Sequence, residues 1–244
     1  MKEPLVTRSM KPIHPLASGQ SFSSSRVIPR RVWRHTARSF VAAATTLACL
    51  MPVLHAAAME TTSSVVWNQL GNDLEGEAEA DRSGTSIAIA EDGSRIVIGA
   101  ASNDESGNAA GHVRVFEWDS GLLTWGQVGT DIDGVAGGDE SGTSVAISGN
   151  GHRIAIGSPY NDGMATGTGH VRVFEFDGNA WSQAGEDIEG SVLADWLGQS
   201  VAMSADGNRI AVGVPQTYGG GTRYGFVRIL DWDSDTSSWV QAGS

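Results

Sequence analysis

The chain has 244 residues and a formal charge of −12, an average over two regions of opposite sign. Residues 1–58 hold eight of the sixteen Lys and Arg and one acid, Glu3, whereas residues 59–244 hold eight Arg against 27 acids, a balance of −19. So acidic a region repels nucleic acid and anionic lipid, whose binding needs Lys and Arg to displace counterions, and with Cys49 as the one cysteine, residues 59–244 contain no disulfide framework and no thiolate metal site.

Residues 1–58 read as a leader. Arg26, Arg30, Arg31, Arg34 and Arg38 precede an apolar run from Phe40 to Leu54, followed by His55 and three alanines. A basic segment, an apolar stretch and a small-residue site together predict a secretory signal cut near Ala58. The same residues leave three alternatives open. One is a signal anchor, though Pro52 interrupts a run short for a membrane span. The others are an organellar transit peptide over 4–38 and a twin-arginine signal at Arg30-Arg31. Secretory and anchor readings both place the remainder outside the cytoplasm, secreted or at the cell surface, or signal-anchored with extracytoplasmic repeats.

Residues 59–244 form a repeat region. Trp67, Trp125, Trp181 and Trp239 mark units 67–124, 125–180 and 181–238, with 239–244 as the start of a fourth. Gln69, Gly71, Asp73 and Gly76 align with Gln127, Gly129, Asp131 and Gly134, and again with Gln183, Gly185, Asp187 and Gly190. Each unit contains four strand-like runs. The first is Ser86–Ala90, Ser144–Ser148 or Ser200–Ser204. The second is Arg95–Gly99, Arg153–Gly157 or Arg209–Gly213. Asp92-Gly93, Asn150-Gly151 and Asp206-Gly207 join these two, and such dipeptides supply the positive φ of a tight hairpin. The third run is His112–Glu117, His170–Glu175 or Phe226–Asp231, and the fourth begins at the next tryptophan.

The first two runs are apolar on both faces, the pattern of strands covered on both sides. The third alternates around Arg114, Arg172 and Arg228, which predicts a strand nearer solvent. The fold class expected is therefore all-β, with β-propeller-type blades built from three four-stranded repeats plus the start of a fourth. Three blades fall short of a ring of at least about four. The propeller is thus expected to be incomplete in this sequence, as a piece of a longer protein or as copies that self-assemble to complete it.

Gly198-Gln199-Ser200-Val201, Asp206-Gly207 and Ile210 to Pro215 resemble the FG-GAP repeat of integrin-α-type propellers, with matching segments at 142–145 and 156–159 and at 84–87 and 99–101. The resemblance covers residues 67–244. It implies an extracellular β-propeller, usually of seven blades, engaged in ligand recognition. It also implies calcium in a loop between the first two strands. Here that loop is only the turn around Asp92, Asn150 or Asp206, too short to supply the about six to eight oxygens calcium needs. The family's calcium site is therefore not carried over; no cofactor is expected, with calcium left open as the alternative even though the family's loop is absent.

In an up-and-down meander the second-to-third loops share a face with the inter-blade loops. The former diverge most between copies and supply Asp104, Glu105, Asp162, Tyr218, Arg223 and Tyr224 as candidate ligand-binding residues. Trp196, in an inter-blade loop, adds an aromatic suited to stacking on a sugar. Glu75, Glu77, Glu79, Asp81, Asp133, Asp139, Glu140, Glu189 and Asp195 make the face acidic. Recurring Asp81, Asp139 and Asp195 are read as turn caps or arginine partners, and recurring Arg95, Arg153 and Arg209 as a structural network. His112 and His170 are read as packing, because Phe226 stands at the equivalent place. The leading expectation is an exported, non-catalytic recognition module, not an enzyme, for an extracellular protein or glycan. A structural surface-layer repeat protein is one alternative. A propeller-based hydrolase or lyase is the other; it needs a charged cluster that breaks the repeat, and none stands out in the sequence.

Overall fold

The computed structural model describes residues 66–215 and 224–243, which are all-β with no helix among them. The segment expected to be a leader with an export signal, like Tyr218 and Arg223, lies outside the described residues.

Three antiparallel sheets follow one another along the chain. The first has the order β1 (Ser83–Ile89), β2 (Arg95–Ala100), β3 (His112–Asp119), β4 (Thr124–Gln127), and the short β5 (Ile132–Asp133) also pairs with β3. The second repeats this as β6 (Ser144–Ile147), β7 (Arg153–Ser158), β8 (His170–Phe176), β9 (Trp181–Gln183) and β10 (Ile188–Glu189). The third is β11 (Ser200–Met203), β12 (Arg209–Val214), β13 (Phe226–Asp233) and β14 (Ser238–Gln241).

The first hairpin closes as the Asp-Gly pair predicts. Gly93 takes φ +72°, and the Ser94 N–H donates to Asp92 Oδ1 at 2.9 Å. The outer strand of the first sheet is interrupted. β4 leaves the ladder after Gln127 and β5 rejoins it with Ile132 opposite Val113. The intervening loop holds Gly129 at φ +77°, against the indole of Trp181 from the next repeat. The Trp181 Nε1–H donates to the Val128 carbonyl at 2.9 Å, and Trp125 and Trp239 donate in the same way to Leu70 and Ala184. The repeated tryptophans thus fasten each unit to the one before.

Apolar side chains fill the space between sheets. Val97, Val113 and Val115 of the first pack with Val145, Ile154, Ile156 and Phe174 of the second. Ala155, Val171 and Val173 of the second pack with Ile210, Val212, Val214 and Leu230 of the third. Burying each Val or Ile stabilises by about 1.5–3 kcal/mol before entropy. Each junction carries the same polar ties. Ser86 and Ser144 hydroxyls donate to the Gly142 and Gly198 carbonyls, both at 2.7 Å. Arg95 and Arg153 donate to the Gly151 and Gly207 carbonyls at 2.9 and 3.0 Å, pair with Glu117 and Glu175, and lie over Phe176 and Trp232. The recurring arginines are therefore structural, as expected. Ile87 and Ile89 on the first sheet and Val227 and Ile229 on the third stand exposed, at positions whose counterparts in the junctions are buried or half-buried.

The third strand departs from expectation. β3 is buried from His112 to Phe116, not near solvent. β4 and β5 cover its edge, and Arg114 lays its guanidinium over the Phe116 ring while its Nη2 donates to the Glu75 carbonyl at 2.7 Å. A polar residue between valines marks here a buried guanidinium with a backbone partner, not a wet face.

Candidate functional site

The loop between β2 and β3 and the segments entering successive sheets do share a face. Ser102 N–H donates to the Asp81 carbonyl at 3.1 Å, and Glu140 and Ser141 N–H donate to Ala109 and Ala110 at 3.1 and 2.9 Å. The recurring aspartates brace this face. Asp81 Oδ2 accepts from the Ala78 N–H and the Asn103 amide, both at 3.1 Å, and Asp139 Oδ2 from the Ala136 N–H and the Asn161 amide at 3.0 and 2.9 Å. They are turn caps whose side-chain partner is an asparagine, not an arginine.

Within this scaffold one cluster stands apart. Glu77 comes from the segment before β1, Glu105 from the β2–β3 loop, His112 from the first position of β3, and Asp131 from just before β5. Their ligand-capable atoms lie within 4.8 Å of one another. His112 is 1 % exposed and forms the floor. Its Nδ1 has no hydrogen-bond partner, yet it faces Asp131 Oδ2 at 3.7 Å and Glu77 Oε2 at 3.8 Å. Glu77 and Glu105 are exposed and Asp131 is half-buried, so the cluster opens to solvent.

Neighbouring groups set its orientation. The Gln127 amide donates to Asp131 Oδ1 at 2.5 Å, which turns Oδ2 toward the imidazole. The Gln69–Asp73 and Gln183–Asp187 pairs repeat that latch at 2.7 Å. Arg114 Nη1 stands 3.6 Å from Glu77 Oε1.

The second repeat retains only half of this arrangement. His170 Nδ1 lies 3.6 Å from Asp187 Oδ2, but Val135 and Gly163 occupy the places of Glu77 and Glu105. The third repeat has Phe226 in place of the histidine. The cluster is therefore a charged constellation that breaks the repeat.

Of the candidate ligand-binding residues that are described, Glu105 alone joins the cluster, with Glu77 from the acids of the same face. Asp104 and Asp162 are exposed but turn inward on their own loops, accepting from the Ala109 and Gly167 N–H at 2.6 and 2.7 Å. Trp196 is half-buried at φ +52°, edge-on to Tyr160 with ring centroids 5.6 Å apart. Tyr224 is exposed. Sequence reasoning missed His112, Glu77 and Asp131 as a group. The signal lay in Glu77 and Glu105, acids that the second repeat replaces with Val135 and Gly163.

Burial holds the His170 imidazole below its ordinary value near 6.5. The Asp187 carboxylate opposes that shift, the Arg172 guanidinium adds to it and Asp139 opposes it. His170 is thus neutral in the fold and takes up a proton more readily when unfolded. Unfolded chains bind more protons as pH falls through about 6.5, so stability drops in that direction. The denaturant midpoint is expected to fall between pH 7.5 and 5.5, and His170→Phe, the residue of the third repeat, to flatten that slope. An unchanged slope in the variant would contradict this role.

No protein-family model and no curated protein sequence matches the chain. Solved structures resemble it at propeller-like, all-β level. Hydrazine synthase of Kuenenia stuttgartiensis matches at 14 % identity over 72 % of this chain, TM-score 0.39. A "putative 6-phosphogluconolactonase" of Bacteroides uniformis matches at 14 % over 65 %, TM-score 0.43, and another of Bacteroides fragilis at 13 % over 64 %, TM-score 0.43. The chain spans 38 %, 39 % and 36 % of the lengths of these structures. The integrin-type assignment gains no family match. The expectation of a non-catalytic module that is not an enzyme is corrected on one finding. The charged, repeat-breaking cluster that an enzyme reading requires is present on the loop face.

Proposed function

We propose that the chain supplies three blades of an exported β-propeller hydrolase whose reacting centre is the Glu77–Glu105–His112–Asp131 cluster. What supports the reading is a single observation: carboxylates from separate loops converge with a buried imidazole at one place, and the other repeats do not reproduce it. Paired carboxylates are the device of acid–base hydrolysis. One, protonated, gives its proton to the departing oxygen as the bond to that oxygen breaks. The other takes the proton of the water whose oxygen forms the new bond. Glu77 and Glu105, both exposed, take these roles in this reading, and the Gln127 hydrogen bond orients Asp131 beside them.

The charge of the repeat region, −19 over residues 59–244, disfavours anionic substrates and favours uncharged ones such as glycosides or carboxylic esters. The purified chain is assayed against neutral polysaccharides, carboxylic esters and phosphoesters. Turnover of a neutral class is expected, and Glu105→Gln is expected to lower kcat by about 10²–10⁴-fold. No turnover of any class, or full activity in Glu105→Gln, would sink the proposal. The alternative of a structural surface-layer array rests on the exposed Ile87, Ile89, Val227 and Ile229. Oligomerisation that rises with concentration, without turnover, is the result that would favour it.

A further inference from the structure

We infer that the Glu77–Glu105–His112–Asp131 cluster binds one divalent transition-metal ion of the manganese or zinc class. The inference rests on the same site as the hydrolytic reading; with the ion held, Glu77 and Glu105 would serve as its ligands, and the ion would supply the activation of water that the paired carboxylates supply without it.

Three independent features carry it. The first is the unpartnered imidazole nitrogen. A buried polar atom without a hydrogen bond costs free energy, and buried groups are ordinarily satisfied. His112 Nδ1 is 1 % exposed at residue level, has no partner, and points into the carboxylates.

The second is spacing. Separations of 3.7 and 3.8 Å from Nδ1 to Asp131 Oδ2 and Glu77 Oε2 are too long for hydrogen bonds. Ligand atoms at about 2.1 Å from a tetrahedral zinc ion stand about 3.4 Å apart. The two separations from Nδ1 are a few tenths of an ångström wider than that, and all four ligand atoms lie within 4.8 Å of one another.

The third is charge. Glu77, Glu105 and Asp131 bring three negative charges, and Arg114 at 3.6 Å from Glu77 offsets one. The two that remain match a divalent cation.

The donor set selects the class of ion. An imidazole nitrogen with carboxylate oxygens suits zinc or manganese, whereas calcium takes about six to eight oxygens and no imidazole. The site is also remote in sequence from the Asp92-Gly93 turn, where the FG-GAP resemblance would have put calcium. The Gln127 hydrogen bond to Asp131 Oδ1 is the outer-shell support that metal-binding carboxylates require.

Isothermal titration of the full chain with Mn²⁺, Zn²⁺ and Ca²⁺, after chelator treatment, tests the inference. One Mn²⁺ or Zn²⁺ per chain is expected, with Ca²⁺ weaker. Gln127→Ala should weaken binding about 10–100-fold, and Glu105→Gln, which removes an exposed ligand without disturbing the core, by at least as much. His112→Phe should abolish it, while His170→Phe, in the half-conserved second repeat, should leave it intact. Absence of stoichiometric binding, or binding unchanged in both Glu105→Gln and His112→Phe, overturns the inference. Metal binding without hydrolysis removes the hydrolytic reading and leaves the metal site. Hydrolysis that persists in chelator, with no metal bound, does the reverse.

Discussion

Gly157→Ala is expected to destabilise the protein by about 3 kcal/mol or more. Gly157 lies on β7, where the second sheet faces the third. A Cβ there would overlap the Gly198 carbonyl oxygen and the Ser144 hydroxyl. The first obstacle is backbone, which cannot rotate aside. Ser144 also donates to that same carbonyl, so relieving the clash breaks the tie between sheets. Gly213 is its counterpart in the third sheet and provides the control. A Cβ at Gly213 meets chiefly the Ser200 hydroxyl, and no neighbouring backbone carbonyl comes within overlap distance. Gly213→Ala should cost about 1 kcal/mol or less. Urea denaturation of the two variants checks this, and equal losses would refute the account of the sheet junction.

Asp139→Ala is expected to cost about 3 kcal/mol, which for a chain of this size lowers Tm by about 6–12 °C. The Asp139 carboxylate is 3 % exposed and holds two donors, the Ala136 N–H and the Asn161 amide. Alanine leaves both without their acceptor in a place water does not readily reach. Asp139→Asn retains one acceptor oxygen and should recover more than half of the loss. A melt of Asp139→Ala indistinguishable from wild type would show that the brace between the loops contributes nothing.

Much of the fold was legible in the sequence because its signals are local and repeated. Asp-Gly turns, β-branched runs and the spacing of Trp67, Trp125, Trp181 and Trp239 each report a requirement of one unit, and the units supply independent readings of it. Strand order and the sharing of loops on one face followed from that. The burial of β3 did not, because the Arg114 Nη2 finds its acceptor in the Glu75 carbonyl, a contact across 39 residues that no local pattern announces.

The site was partly legible for the same reason. Asp104 and Asp162 drew attention as acids in divergent loops, but an aspartate in a loop more often caps its own turn, and both do. His112 was read as packing because Phe226 replaces it in the third repeat. That substitution shows only that the third repeat can do without the imidazole. In the first repeat the fold brings Glu77 and Glu105 to it from two separate loops earlier in the chain. The informative comparison was at those two loop positions, Val135 and Gly163 in the second repeat, rather than at the histidine itself.

The most direct test of the account uses that comparison. The double variant Glu77→Val/Glu105→Gly gives the first repeat the loop residues of the second, which the same scaffold already accommodates. Hydrolysis of a neutral glycoside or ester is measured in the double variant and in wild type at matched folded concentration. The account predicts a loss of about 10²-fold or more in kcat/KM with the melting curve unchanged. Equal turnover in the two proteins would place the chemistry elsewhere and contradict it.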